Sequence, residues 1–442
     1  MPDGREIAYE LTRRVNSGGG YLNLLLRHRL QDSGLDARER ALTAELAYGI
    51  QRHRNKLDYI IASFSARPIA KLQPGVLDLL RLGVYQLSQT RIPVHASVNE
   101  TVEIAKRHLH PKAVSYINAV LREAARNLDG ITWPEVSDLP SYLETVRSHP
   151  RWLVEYMLEY LGDGEAEALC EADNLVPTLS LRLNIDRTSR EEILTAISGC
   201  GGSARTPTFL PEALVDVSIP HEMLMEFLDG GLCVVQDESS MLVSHVVDPQ
   251  AGEIVIDACA APGGKATHLA QLGGAGCTIF ASDINPRRLE AVRGAVERLD
   301  LGNIRILEGD SRHIQEMVDH PVDAVLLDAP CSGLGTLRRR PELKWRMRPE
   351  NVASLSVVQA RLLDSCAGVL RPGGRLVYSV CTFTHEETID VIDGFLGEHG
   401  DFVLEDLSHL PGEEQGFQGY LQIMPHLHGM EGMFIAHLGK IR

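Results

Sequence analysis

From residue 5 to about 128 the apolar positions fall at spacings of three and four, in "REIAYELTRRV", "RALTAELAYGIQRHRNKLDYIIASF", "GVLDLLRLGVYQL" and "HASVNETVEIAKR". That period puts each apolar set on one helix face. Short connectors with Pro and polar residues, "SARPIAKLQPG" and "TRIPVHAS", separate the runs, so an all-α bundle is expected. "NLDGITWPEVSDLP", residues 127 to 140, has the Gly, Pro and acidic residues of a linker.

Between about 141 and 240 the pattern is mixed. "PTLSLRLNI" and "EALVDVS" read as strands, and "SREEILTAISGCGG" as a helix with a serine cap and a glycine stop. From about 241 short apolar strands alternate with helical stretches: "EIVIDACA", "GCTIFASDI", "NIRILEGD", "PVDAVLLDAP" and "GGRLVYSVC". Such alternation builds βαβ units and a largely parallel sheet. The pattern thus predicts a multidomain chain: a helical domain at 1–133, a small α+β adaptor at 134–240 and a Rossmann-like α/β domain at 241–442.

The 442 residues are 44% hydrophobic, with no uninterrupted apolar run of the length that a membrane span requires. The opening "MPDGREIAYE" lacks the basic and apolar regions of a secretory signal. A cytoplasmic location is therefore expected. The net charge of -17 argues against nucleic acid only on average. Residues 1–130 carry 19 Lys+Arg against 13 Asp+Glu, while the remainder carries 24 against 47. A second basic cluster, "TLRRRPELKWRMR" at 336–348, has six Lys/Arg and one Glu. These two zones are where a polyanion would be gripped.

"DACAAPGGKATHLAQL" reads as a strand, a tight turn and a helix, whose glycines let a ligand approach the backbone. It is not a P-loop: Cys259 stands at the upstream glycine position, and Ala266 follows Lys265 where Ser or Thr is required. Asp283, at the end of the next strand, suits ribose hydroxyls, and Asp310, after a third strand, suits an adenine amino group. This order resembles that of adenosylmethionine-dependent methyltransferases.

The eight cysteines include no C-x-x-C pair, and about six are expected to be small buried hydrophobes. Cys331 and Cys381 stand apart, each at a strand end with polar neighbours. Methylating C5 of cytosine needs a thiolate on C6, a carboxyl group at N3 to favour that addition, and a base to remove the C5 proton. Asp328 and two thiols cover these steps; spacing alone does not say which thiol attacks. His385 reads as a solvated loop residue, Trp345 either stacks on a base or packs on arginine stems, and the histidines of "PHLHGM" lack metal-ligand partners, so no metal is expected.

"DACAAPGGK", "DAPCSGLGTLRRRPELKW" and "YSVCTFTHEE" resemble the cofactor and cysteine motifs of the RNA cytosine-C5 methyltransferases of the RsmB/Sun family. "TAELAYGIQRHRNKLD", "LLRLGVYQL", "VHASVNETVEIAK" and "INAVLREAAR" are similar to the NusB-like RNA-binding domain fused to the bacterial 16S rRNA members; "SHPRWLVE" and "VQDESS" fit the same pattern. The resemblance implies a class I methyltransferase using S-adenosyl-L-methionine on 16S rRNA, with cytosine 967 as the target. It implies cofactor contacts by Cys259, Ala260, Ala261, Pro262, Gly263, Gly264, Lys265, Asp283, Asp310 and Asp328. It makes Asp328 the cytosine-contacting acid, Cys381 the nucleophile and Cys331 the cysteine of proton removal or product release. DNA cytosine methyltransferases attack instead with the "PC" cysteine. A monomer without an obligate protein partner is expected. A tRNA cytosine-C5 methyltransferase and a non-catalytic RNA-binding or assembly factor are the alternatives.

Overall fold

The computed structural model describes residues 3–31, 33–407 and 419–441. The chain forms two compact units, Met1–Val176 with Leu337–Arg346, and Pro177–Thr336 with Met347–Arg442.

The first unit is helical. Asp3 and Asp36 accept backbone N–H bonds at the starts of helices Gly4–Asn16 and Ala37–Arg52, and Pro residues open Pro74–Gln89 and Pro111–Asn127. Helix Pro74–Gln89 is buried nearly all round, through Leu79, Leu80, Leu82 and Val84. Gly83 is required there, since a Cβ would lie 2.6 Å from Leu121 Cδ2. The stretch read as a linker lies against the bundle: Tyr59 donates to the Thr132 carbonyl and stacks on Trp133. Helices Leu139–Thr145 and Arg151–Leu161 follow in the same unit, tied on by Asn55 Nδ2, which donates to the Glu144 and His149 carbonyls. By compactness the first division of the chain falls after Val176.

The second unit contains two sheets. Strands β1 (Leu179–Leu183), β2 (Ser203–Arg205), β3 (Ala213–Ser218) and β4 (Cys233–Val235) form an antiparallel sheet in the order β2-β3-β1-β4. The expected helix, Arg190–Gly199, begins with a Ser189–Glu192 capping box. The larger sheet uses β5 (Ile254–Asp257), β6 (Thr278–Asp283), β7 (Ile304–Glu308), β8 (Val322–Asp328), β9 (Leu370–Val380), β10 (Phe402–Leu404), β11 (Tyr420–Ile423) and β12 (Met433–Lys440). Its order is β10-β12-β9-β8-β5-β6-β7, with β11 on β12; β5 to β9 run parallel and β12 antiparallel to β9. The strand order reverses between β5 and β8, since β5, β6 and β7 follow one another outward and the chain then returns to the other side of β5. In open α/β sheets ligands bind at the carboxyl ends of the strands at such a switch point.

Among the described residues one helix, Pro349–Val369, is long and apolar enough to cross a membrane by length and composition. Its Leu362, Leu363, Cys366 and Ala367 pack in the core on one face of the sheet, and polar Gln359 is buried beside them. It is the amphipathic core helix of an α/β domain.

Candidate active site

The turn after β5 brings the chain to the switch point. Ala260 N donates to Ser282 O, and Gly263, at φ 105°, caps helix Gly264–Gly273. A Cβ at Gly263 would lie 3.2 Å from the Val292 Cα, so space and conformation both require glycine. Arg182 of β1, fully buried, donates to Gly264 O, Gln236 Oε1 and Thr267 Oγ1. The smaller sheet thereby holds the glycine turn of the larger one. Cys259, beside the turn, packs into the core, and burial pushes its thiol well above the ordinary range.

Asp257, Asp283, Asp310 and Asp328 lie at or just beyond the ends of these strands. Asp257 is fully buried; burial first, and then the Asp328 charge, push its carboxyl up to about 7. Asp283 is 3% exposed, accepts from Asn285 N and lies 3.2 Å from the Arg288 guanidinium. Asp310 accepts from Arg312 N and from its guanidinium, which hold this carboxyl below its ordinary value. Asp328 accepts from Lys265 Nζ at 2.8 Å and from Ser379 Oγ at 2.9 Å. Burial opposes the Lys265 charge, yet Asp328 outweighs it and holds the ammonium above its ordinary value, with Cys381 adding to the effect.

Strands β8 and β9 pair in parallel with Asp328 beside Ser379. The chain then turns out of each strand, and Cys331 Sγ and Cys381 Sγ meet at 3.4 Å. The Cys331 thiol is held well above its ordinary value by its hydrogen bond to Cys381, then by burial, then by the charges of Cys381 and Glu387. Of the eight cysteines four are buried, fewer than the six anticipated. Cys200 is exposed because it ends a surface helix, with its thiol on the Ile197 carbonyl.

The basic cluster does not stand free as anticipated. Leu337–Arg346 belongs to the helical unit, where Lys344 is fully buried and donates to Asn174 Oδ1 and Ser148 O. Desolvation lowers the Lys344 ammonium to about 7. Trp345 Nε1 donates to Gln51 O with the Arg54 guanidinium over its ring, so packing on an arginine is the alternative realised. Arg346 donates to the Val15 and Gly20 carbonyls, and Glu342 accepts from Leu22 N. Arg340 and Arg348 remain exposed. Trp345, Lys344 and Arg346 therefore hold the fold.

Sequence spacing also missed Asp257, Ser379 and Arg182, and a cluster of Glu212, His245 and His268. Their ligand atoms lie within 4.8 Å of one another. Glu212 Oε1 is 2.7 Å from His245 Nε2 and 3.0 Å from His268 Nε2. Burial opposes ionisation of Glu212, but the two imidazoles outweigh it and hold its carboxyl well below the ordinary range.

Residues 244–439 match the family model of the 16S rRNA methyltransferase RsmB/F, residues 3–126 that of the NusB family, and residues 149–216 that of the RsmF/B-like ferredoxin-like domain. The chain is 35% identical over 446 residues to a probable ribosomal RNA small subunit methyltransferase B of Bacillus subtilis (strain 168), covering 99% of this chain and 98% of that one. It is 33% identical over 442 residues to the ribosomal RNA small subunit methyltransferase B of Pectobacterium atrosepticum, covering 99% and 98%. The crystal structure of PH0851 matches with a TM-score of 0.85 at 27% identity, covering 100% of this chain and 99% of that one.

Proposed function

The chain belongs to the RsmB/F family of 16S rRNA methyltransferases, and from that premise we propose that it methylates C5 of cytosine 967 through a covalent adduct of Cys381 with the base. The observation that carries this reading is the 3.4 Å approach of two thiols beside an acid already held by Lys265 and Ser379.

S-adenosyl-L-methionine is the methyl donor, and the residues at the switch point fit it. Asp257 is a buried carboxyl without a side-chain hydrogen-bond partner, suited to an amino group of the ligand. The glycine turn leaves its backbone open to close approach, and Asp283 suits the ribose hydroxyls. Asp310 would meet the adenine edge while capped by Arg312. When bound, the cofactor supplies an electrophilic methyl group on sulfur.

The target base must leave its stack to reach the thiols. Asp328, protonated once the base is bound, donates a hydrogen bond to N3 of cytosine, which draws electron density from C6. The Cys381 thiolate adds to C6, and C5 becomes the nucleophile. Lys265 holds Asp328 in place and adds positive charge near Cys381. After methyl transfer the C5 proton passes to a base assisted by Cys331, the C6–S bond breaks, and Cys381 leaves as thiolate. The helical unit, with the basic balance of residues 1–130, is the RNA-binding part.

The test is a denaturing gel of wild type, Cys331→Ala and Cys381→Ala with 16S rRNA and methyl-labelled cofactor. An RNA-linked band in Cys331→Ala that is absent from Cys381→Ala is expected. The reverse pattern would move the attack to Cys331. Transfer by wild type only to tRNA would replace the substrate, and RNA binding without any transfer would leave a non-catalytic binding factor.

A further inference from the structure

Glu387 is fully buried, six residues beyond Cys381. One of its carboxylate oxygens, Oε1, accepts from Ser332 N at 2.8 Å and Gln359 Nε2 at 3.0 Å. The other, Oε2, accepts from Ser332 Oγ at 2.5 Å and Thr384 Oγ1 at 2.8 Å. All four donors are neutral. Gln359 Nε2 also donates to Pro330 O, and the hydroxyls of Ser332 and Thr382 lie 2.9 Å apart. Pro330 and Ser332 flank Cys331, while Thr382 and Thr384 follow Cys381. Both cysteine loops therefore converge on one carboxylate.

A buried charge is costly unless hydrogen bonds satisfy it. Here four donors do so, and a glutamine could not replace the carboxylate: its NH₂ would face donors where Glu387 offers an acceptor. We propose that Glu387 is the positioning residue of the two-thiol centre, clamping both cysteine loops in register and deciding by its negative charge which thiol attacks. The inference rests on the two-thiol reading and deepens it. The clamp sets the sulfur separation to which the adduct chemistry is tuned. Its charge acts on Cys331, where it adds to the hydrogen bond and burial that keep this thiol protonated.

The experiment compares wild type, Glu387→Gln, Glu387→Asp and Thr384→Val for single-turnover methyl transfer to 16S rRNA and for binding of RNA and cofactor. In a Cys381→Ser background it also follows the pH dependence of Cys331 alkylation by iodoacetamide, with and without Glu387→Gln. Glu387→Gln is expected to slow transfer roughly 10- to 100-fold with both affinities within about twofold, and Glu387→Asp to recover part of the loss. The Cys331 alkylation profile is expected to move to lower pH, because a negative charge has gone. A wild-type transfer rate in Glu387→Gln, or an unmoved alkylation profile, overturns the proposal. If Glu387→Gln fails to bind cofactor, Thr384→Val decides: it keeps the side-chain shape and removes one donor, so slowed transfer supports the clamp and a wild-type rate overturns it. Failure of the two-thiol reading looks different, since wild type would then transfer no methyl group or Cys331→Ala would form no RNA-linked band.

Discussion

Cys331 Sγ and Cys381 Sγ lie 3.4 Å apart although 50 residues separate them in sequence. Neighbouring parallel strands account for this: β8 and β9 set Asp328 beside Ser379, and each cysteine sits two or three residues further on. The two sulfurs are not equivalent. The hydrogen bond to Cys381, burial and the charge of Glu387 hold the Cys331 thiol above its ordinary value, while the Lys265 ammonium interacts electrostatically with Cys381.

That asymmetry predicts the order of alkylation in the free enzyme. Only the thiolate reacts quickly, so limiting iodoacetamide at pH 8 should label Cys381 before Cys331 in peptide mass spectra. Cys331 labelled first would assign the attack to the other sulfur without any appeal to relatives, and equal labelling would remove the asymmetry itself.

Lys265 is the next test. Its ammonium holds Asp328 at 2.8 Å, and Lys265→Met keeps much of the side-chain length without the charge. Methyl transfer should fall by about 10²-fold, the scale of losing one preorganised electrostatic contact, while RNA affinity stays unchanged. A loss of RNA affinity with normal single-turnover transfer would place Lys265 on the polynucleotide instead.

Much of this centre was legible in the chain because strand ends are local features. "DAPC" and "YSVC" each follow an apolar run, and the "PGG" turn requires positive φ where Gly263 adopts it. Partnerships that need tertiary folding were not. Arg182 reads as one polar position in a strand, yet it lies buried against a turn 82 residues on. Glu212 and His245, 33 residues apart, have no motif spacing. Charge counting failed at 336–348 for a related reason: composition cannot tell that Lys344 and Arg346 point into a helical unit.

That correction changes which arginine tests RNA binding. Arg346 donates to the Val15 and Gly20 carbonyls, whereas Arg340 is exposed. Arg346→Ala should lower the thermal midpoint of the helical unit at all salt concentrations. Arg340→Ala should leave the midpoint alone and weaken RNA binding, with a shallower salt dependence by about one phosphate contact. An Arg340→Ala loss that is the same at every salt concentration would remove the phosphate assignment.

The pH dependence of stability separates two buried groups of the second unit. Burial, reinforced by Arg182, lowers His268 to about 3 from an ordinary 6.5, so unfolding takes up a proton and stability is lost as pH falls below 6.5. Asp257 has the opposite sign. With its folded value near 7 against 3.8, its contribution is whole below pH 3.8 and is lost as pH rises toward 7. Between about pH 5 and 6 one proton is taken up and one released, so the two nearly cancel. Asp257→Asn leaves His268 unopposed, and the opening free energy of β5, measured by hydrogen exchange without cofactor, should then rise with pH by about 1.4 kcal/mol per unit. The same variant should gain stability over wild type at pH 7.5 and lose that advantage toward pH 4. If wild type and Asp257→Asn keep parallel profiles across this range, Asp257 is ionised in the free protein, and a neutral carboxyl is not what awaits the cofactor.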